Sequence, residues 1–193
     1  MNAPHRCVRA SLIAALFALA GESLPAAAAA PVKWNRVDTG QGWTIVVPEG
    51  YAVNPSYRYD QLGAGRTIAG TAFTVPERIW KGSNLSADSY LSVEEIRGAA
   101  KCTAALFLPA GAEVKSVTDK GQRYTLGTFG DAGAGNFYDQ TVYARATGAR
   151  CIGVRYFIHA TNIGNYDPGT VEEFNRAGLI AQWDKIRRSI SFP

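Results

Sequence analysis

Histidine and cysteine are scarce in this chain of 193 residues, which has two histidines and three cysteines. Only His159 lies beyond residue 30, so residues 31–193 cannot bind zinc through two histidines, and they have too few cysteines for a cysteine-rich metal site. A Ser-His-Asp triad would have to use His159, and the sequence contains no G-x-S-x-G motif. We therefore expect no metal and no cofactor, and we favour a non-catalytic domain.

A long apolar run is also lacking. The apolar stretch "ASLIAALFALAG" (residues 10–21) is shorter than the roughly 20 residues that a membrane-spanning helix needs. It follows a basic segment and precedes Ala28 and Ala30, which satisfy the small-x-small rule for signal cleavage. We predict that residues 1–30 are a cleaved secretory signal peptide and that residues 31–193 are a single globular domain, periplasmic or secreted. A retained N-terminal anchor is the alternative.

The charge of the chain is modest. Its formal net charge is +4, and the basic residues are scattered along the sequence and do not form a stripe. Nucleic-acid-binding domains usually concentrate their positive charge on one face. The sequence therefore predicts no nucleic-acid partner and no stable membrane span after signal removal, and we expect a protein or an envelope-derived ligand.

Two cysteines, Cys102 and Cys151, remain after the predicted signal peptide. In an exported protein a lone pair of cysteines favours a disulfide. A reactive or metal-binding cysteine is the alternative.

Most of the remaining sequence has strand patterns. Two signals predict strands: alternation of apolar and polar residues, and enrichment in β-branched and aromatic residues between Gly, Pro or Asp. The predicted strands lie within residues 42–51, 66–76, 88–96, 113–130, 136–147 and 150–161. For the third of these segments a helix is the alternative, because Ser92 and Glu95 have capping-box spacing. Residues 101–108 have the composition of a short buried helix. The last three strand segments predict an antiparallel meander covered on both faces.

The C-terminal segment predicts an amphipathic helix that packs on the sheet. Thr170 and Glu173 have the spacing of a capping box at its start. One apolar stripe follows at helical spacing, formed by Leu179, Trp183, Ile186 and Ile190.

The glycine-rich segment "DAGAGNFYDQ" (residues 131–140) is a candidate binding loop. A phosphate-binding loop would need a helix after its glycines, whereas a strand pattern follows Gly135. One interpretation is a hairpin connection in which Gly133 and Gly135 have positive φ and Asp131 and Asn136 are the turn formers. The other is a loop that presents Asp131 and Tyr138 to a partner.

A second polar segment, "HATNIGNYDPG" (residues 159–169), follows the last predicted strand. Its Asn and Asp residues beside Gly and Pro are typical of turns. A polar binding rim formed by His159, Asn162 and Tyr166 is the alternative, and His159 is the best titratable candidate for a pocket.

Residues 132–138, "AGAGNFY", resemble the small-Gly-small-Gly-x-x-Tyr loop of periplasmic lysozyme inhibitors. That loop enters the lysozyme cleft, so the resemblance implies an inhibitor that uses residues 131–138. The family has serines where this chain has Ala132 and Ala134, so the hydroxyls that would bind catalytic carboxylates are missing.

A second resemblance spans more of the chain. "WTIVVPEGY" near the start, a β-rich middle and a final "WDKIRRSISF" resemble exported proteins of the PsbP-like group. The resemblance implies an α+β fold, a twisted antiparallel sheet flanked by helices (an αβα sandwich), with the C-terminal helix packed on the sheet. It leaves the function open.

These observations favour an exported non-catalytic domain that binds a protein or envelope ligand. The candidate binding residues are Asp131, Gly133, Gly135, Asn136, Tyr138, His159, Asn162 and Tyr166. A carboxylate-dependent cell-envelope hydrolase is the rival from another class, because the sequence does not show which acidic side chains meet in space.

Overall fold

The structure, a computed structural model, describes residues 32–192, and the predicted signal peptide lies outside these residues. The strands and helices are β1 Trp34–Asp38, β2 Thr44–Pro48, β3 Ala52–Tyr59, β4 Ile68–Thr74, α1 Glu77–Trp80, β5 Tyr90–Arg97, β6 Glu113–Asp119, β7 Gln122–Gly133, β8 Asn136–Thr147, β9 Arg150–Thr161 and α2 Arg176–Arg188. Short 3-10 helices cover Ala104–Phe107 and Ile163–Asn165.

Seven strands form one antiparallel sheet in the order β3-β4-β5-β9-β8-β7-β6. Strand β9 is central, and its residues 151–158 are all buried. A central strand covered on both faces needs apolar character on both faces, which explains why its sequence does not alternate cleanly. The other two strands, β1 and β2, form a separate antiparallel hairpin.

The first face of the sheet carries the larger core. Alternate residues of β9, from Ile152 to Ile158, pack there with the apolar stripe of α2 and with the β2 side chains. Trp183 and Ile186 of α2 are completely buried. Burial of an apolar stripe of this kind is the main source of stability for a short helix.

The second face carries a smaller core under residues 99–108. Phe107 packs directly on Gly153 of β9, where an added Cβ would lie 2.6 Å from the Phe107 ring. Cys102 is joined to Cys151 of β9 by a disulfide with a Cα–Cα distance of 5.2 Å. The disulfide that the sequence predicts is therefore confirmed, and it fastens this segment to the central strand.

A buried ion pair lies in the middle of the second face. The Arg155 guanidinium on β9 donates from Nε and Nη2 to the two carboxylate oxygens of Glu94 on β5, at 2.7 and 2.8 Å. Both side chains are 0% exposed. Burial opposes the positive charge of Arg155, but the Glu94 charge and hydrogen bonds raise its pKa above the ordinary value.

Other groups complete the hydrogen bonding of this pair. Arg155 Nη2 also donates to the Phe107 carbonyl at 2.6 Å, and Nη1 donates to Gln140 Oε1 on β8. The Tyr59 hydroxyl of β3 donates to the same Gln140 oxygen at 2.9 Å, and the Tyr59 ring lies 3.5 Å from the guanidinium carbon. We call Arg155, Glu94, Gln140 and Tyr59 the Arg155 network.

Strand prediction was largely confirmed, with two omissions. The segment predicted at 88–96 contains strand β5, Tyr90–Arg97, so the helix alternative at Ser92 is wrong. The Ser92 hydroxyl donates to Glu94 Oε1 at 2.7 Å and does not cap a helix. Strands β1 and β3 were not predicted. Pro55 interrupts the pattern of β3, which tolerates it because β3 is an edge strand with a register shift between Asn54 and Tyr57.

The C-terminal helix begins five residues later than the capping box predicts. Thr170 donates from its backbone N–H and its hydroxyl to the Asp167 carbonyl, which closes a turn. The N-cap is Asn175, whose side-chain oxygen accepts from Gly178 N at 2.8 Å. The predicted stripe is otherwise confirmed, although Ile190 lies beyond the end of α2.

Helices are few, and the fold is dominated by the sheet. Residues 101–108 contain only the 3-10 helix Ala104–Phe107, where a short buried helix was expected. Within residues 32–192 the second face is therefore not covered by an α-helix, and the expectation of a sheet flanked by helices holds only for the first face.

For the disulfide, we expect no free thiol when the unreduced protein, without its first 30 residues, is denatured and titrated with a thiol reagent. Reduction should lower the free energy of unfolding by about 4 kcal/mol, because the bond closes a long loop in the unfolded chain. The Cys102→Ser/Cys151→Ser variant is the control and should not respond to reductant. Two free thiols in the unreduced protein would contradict the assignment.

For the ion pair, Arg155→Met should lower the free energy of unfolding in urea by about 3–5 kcal/mol, because Glu94 would be buried without its partner. Adding Glu94→Gln should recover part of that loss.

The matched control is Arg97→Met on the same strand as Glu94. Arg97 is 80% exposed and pairs with Glu95, so its loss should cost less than about 1 kcal/mol. Equal losses for Arg97→Met and Arg155→Met would contradict the role of the buried pair.

Candidate functional site

The two segments proposed from the sequence as binding loops meet at one end of the sheet. The Gly135 carbonyl accepts hydrogen bonds from the backbone N–H of Asn162 at 2.8 Å and from the Asn165 side chain at 3.2 Å. Asn136 Oδ1 accepts from the Thr161 hydroxyl at 3.1 Å. The β7–β8 turn and the end of β9 are thus bonded into a single surface.

The glycine-rich segment is a tight hairpin. Strand β7 ends at Gly133 and β8 begins at Asn136, so only Ala134 and Gly135 form the turn. Their φ values are 49° and 79°, the positive angles that a two-residue hairpin with this twist requires. The prediction of positive φ is confirmed for Gly135 and wrong for Gly133, because Gly133 is the last residue of the strand.

Four side chains lie in a row across the second face of the sheet. Asp131 is opposite Tyr138, and Tyr138 is opposite His159, in the strand register of β7, β8 and β9. The rings of Tyr138 and His159 are stacked with centroids 4.5 Å apart. Asp88, just before β5, bonds to the other side of His159. We call Asp131, Tyr138, His159 and Asp88 the His159 row.

Both ring nitrogens of His159 have partners. Nδ1 lies 2.8 and 3.0 Å from the two carboxylate oxygens of Asp88, and Nε2 lies 3.1 Å from Asn136 Oδ1. A Ser-His-Asp type of triad would instead place a serine, threonine or cysteine nucleophile against one ring nitrogen. Here the partners are a carboxylate and an amide oxygen, so the contacts orient the ring.

An aromatic strip continues from the row along the second face. The centroid of the Phe157 ring lies 6.4 Å from that of Tyr138 and 4.9 Å from that of Tyr90, and Tyr90 in turn lies 5.3 Å from Tyr57. The Tyr57 and Tyr90 hydroxyls are 2.6 Å apart, and burial raises the pKa of both. Tyr138, Tyr90 and Tyr57 are half-buried, so part of each ring is accessible.

The charge at this end of the sheet is negative. Residues 131–139 and 159–167 contain three aspartates, Asp131, Asp139 and Asp167, and no lysine or arginine. Asp139 is bonded to Arg176 at the start of α2, at 2.7 Å. The other two carboxylates have no cation within their own segments.

The other two predicted binding residues, Asn162 and Tyr166, lie in the loop after β9 and outside the His159 row. Asn162 Oδ1 accepts from Gly164 N at 2.9 Å, as expected of a turn former. Tyr166 is exposed on the loop after β9. Their participation in binding stays a prediction.

Sequence reasoning missed Asp88, Phe157 and Tyr90 as parts of this surface. Asp88 lies 71 residues from His159 along the chain, and no local pattern indicates their contact. The register Tyr90↔Phe157 could be found only once β5 and β9 were known to be neighbours.

One pair of carboxylates shares its partners elsewhere in the fold, at the end of α2. Asp119 and Asp184 both bond to Arg187 and Arg188. The hydrogen bonds from Arg188 and Arg187 lower the pKa of Asp119 to about 2. A glycosidase needs one carboxyl group with a raised pKa as its general acid. The pKa of Asp119 is lowered, so Asp119 does not fit that role.

Two structural findings concern metals and membranes. Within residues 32–192 no group of three His, Cys, Asp or Glu side chains is arranged to hold a metal ion. No helix in the same part of the chain has both the length and the apolarity to cross a membrane.

Comparison with known proteins adds a likeness of fold. No family model and no curated protein sequence matches the chain. The structure is similar to the solution structure of cyanobacterial PsbP (CyanoP) from Synechocystis sp. PCC 6803, with a TM-score of 0.44 and 14% identity over 86% of this chain and 95% of that one. This likeness concerns the fold alone.

Proposed function

We propose that this protein is an exported, non-catalytic binding domain. Its partner is a protein or envelope-derived ligand that presents a positively charged group to the His159 row and the aromatic strip. The observation that carries the proposal is the row itself, in which Asp131, Tyr138 and His159 are cross-strand neighbours on a half-open face.

The chemistry of the row suits a lysine or arginine side chain. An aromatic ring attracts a cation placed over its face, and the attraction grows when water is excluded. Tyr138 supplies an accessible ring, and carboxylates lie on both sides of it, Asp131 on β7 and Asp88 beyond His159. A cationic group docked over Tyr138 would therefore meet the ring and negative charge together.

The surroundings of the row support a stable recognition surface. The His159 ring is held by Asp88 and Asn136, and the hairpin tip is held by Asn162 and Asn165. Side chains that are already ordered lose little conformational entropy on binding, which favours affinity. A preformed surface of this kind matches a binding role better than a mobile loop would.

Export is the cellular setting of the proposal. The disulfide between Cys102 and Cys151 supports an oxidising compartment such as the periplasm or the exterior. Cleavage after residue 30, like the alternative of a retained anchor, concerns residues that the structure does not describe.

The inhibitor and hydrolase functions stay alternatives. No side-chain arrangement within residues 32–192 specifically supports either of them. The inhibitor alternative uses the same hairpin and is tested by measuring whether micromolar protein slows lysozyme. The hydrolase alternative would be established by turnover of peptidoglycan fragments that a single Asp or Glu substitution abolishes.

Native mass spectrometry of the protein isolated gently from its own envelope fraction tests the proposal. We expect a stoichiometric extra mass that dissociates as salt is raised, because exposed charges are screened. The Asp131→Asn/Tyr138→Ala variant should lose that mass, since it lacks one carboxylate and the ring of the row.

The control is Glu113→Gln/Val114→Ala on edge strand β6, which also removes one exposed carboxylate and one apolar side chain. It should retain the extra mass. Retention of the partner by the Asp131→Asn/Tyr138→Ala variant would show that the row is not the binding surface.

A further inference from the structure

We propose a second and separate site, in which a cavity beneath the end of α2 binds the oxyanion of a small molecule, a carboxylate or a phosphate. The cavity has a volume of about 170 Å³ and lies between α2 and strands β7 to β9. Tyr124, Tyr143, Arg145, Arg187 and Phe192 are among its lining residues. These strand residues belong to the first face of the sheet, so the cavity is on the opposite side from the His159 row.

Arg187 is the centre of the proposed site. Its side chain is 1% exposed, although it carries a charge and lines the cavity. Nε donates to the Tyr156 hydroxyl at 3.0 Å, and Nη2 donates to Asp119 and to Asp184, the latter at 3.1 Å. The guanidinium carbon lies 3.9 Å from the centroid of the Tyr143 ring. These contacts hold the guanidinium in one orientation.

One nitrogen of Arg187 is without a hydrogen-bond acceptor among the residues that the structure describes. Nη1 is buried and donates to no oxygen of residues 32–192. Buried donors are almost always bonded in folded proteins, and each exception calls for a physical reason. A bound oxyanion would supply the missing acceptor, and guanidinium nitrogens are well suited to carboxylate and phosphate oxygens.

The charge around the cavity favours an anion. Lys120, Arg145, Arg187 and Arg188 line it, and the carboxylates of Asp119 and Asp184 pair with Arg187 and Arg188. Two cations are then in excess. Arg145 donates to the neutral side chain of Gln122 at 2.8 Å, so its charge is not neutralised by that bond.

The walls favour an anion attached to an apolar body. Tyr124, Tyr143 and Phe192 line the cavity together with Ile152 and Val154. Ligand sites commonly combine apolar and aromatic walls with a few fixed polar groups. A volume of this size holds several water molecules or a small organic anion.

NMR titration of the ¹⁵N-labelled protein, without its first 30 residues, tests the proposal, with sodium phosphate and sodium acetate as probes and sodium chloride at matched ionic strength as the blank. We expect saturable shifts of the Arg187 Nε–H signal and of the Tyr124 and Tyr143 amides with at least one of the two probes. The probe that binds more tightly identifies the oxyanion. The amides of Tyr138 and His159 should not move, which separates this site from the His159 row.

Arg145→Gln is the decisive variant, because Arg145 is half-buried at the cavity and makes no bond that the core depends on. It should raise the dissociation constant of the bound probe about tenfold, the loss of affinity expected for one charge-assisted hydrogen bond. Arg58→Gln, at an exposed position on β3, removes the same charge and should leave the titration unchanged.

Either of two results would overturn the proposal. One is the absence of saturable shifts at Arg187, Tyr124 and Tyr143 with both probes at tens of millimolar. The other is an equal loss of probe affinity in the Arg145→Gln and Arg58→Gln variants. That result would mean that the anion binds because of the overall charge of the protein and not in this cavity.

Discussion

The ion pair between Arg155 and Glu94 is the interaction on which the rest of the structure depends. A charge buried without a partner destabilises a fold by several kcal/mol, so Arg155 requires its acceptors to be in place. Those acceptors come from β5, from β8 and from the Phe107 carbonyl, and the Tyr59 ring of β3 covers the guanidinium. The observed strand order brings all of them to the guanidinium together.

The Arg155 network also divides the second face into two parts. On one side of it, residues 99–108 close the face, with Phe107 on Gly153 and the disulfide at Cys151. On the other side β9 continues to Phe157, which is buried, and to His159, which is half-buried like the Tyr138 ring stacked on it. The same strand therefore builds the closed core and presents the candidate binding surface. The first face, filled by α2, holds the proposed oxyanion cavity at its other end.

Local features of this fold could be predicted from sequence, whereas contacts between distant segments could not. Alternation and turn residues indicated most of the strands, and two cysteines in a chain with a predicted signal peptide indicated their disulfide. Pro55 interrupts the strand pattern of β3, so this edge strand was not predicted. Thr170 has the spacing of a helix cap, but the N-cap of α2 is Asn175. Glu94 and Arg155 are 61 residues apart, so their pairing depends on the strand order and has no local signal. Asp131, Tyr138 and His159 were candidates from the sequence, but their alignment in one row follows from strand register, which the sequence does not show.

Site-specific photo-crosslinking in cells most directly tests the central claim, that a partner occupies the open part of the second face. The photoreactive residue p-benzoylphenylalanine would replace Tyr138 in one variant and Phe137 in another. These neighbours on β8 point to opposite faces of the sheet, and Phe137 is the more exposed of the two, at 45%. The account predicts a discrete cross-linked product from position 138 and none from position 137. Products of equal yield at both positions, or a product at 137 alone, would contradict it.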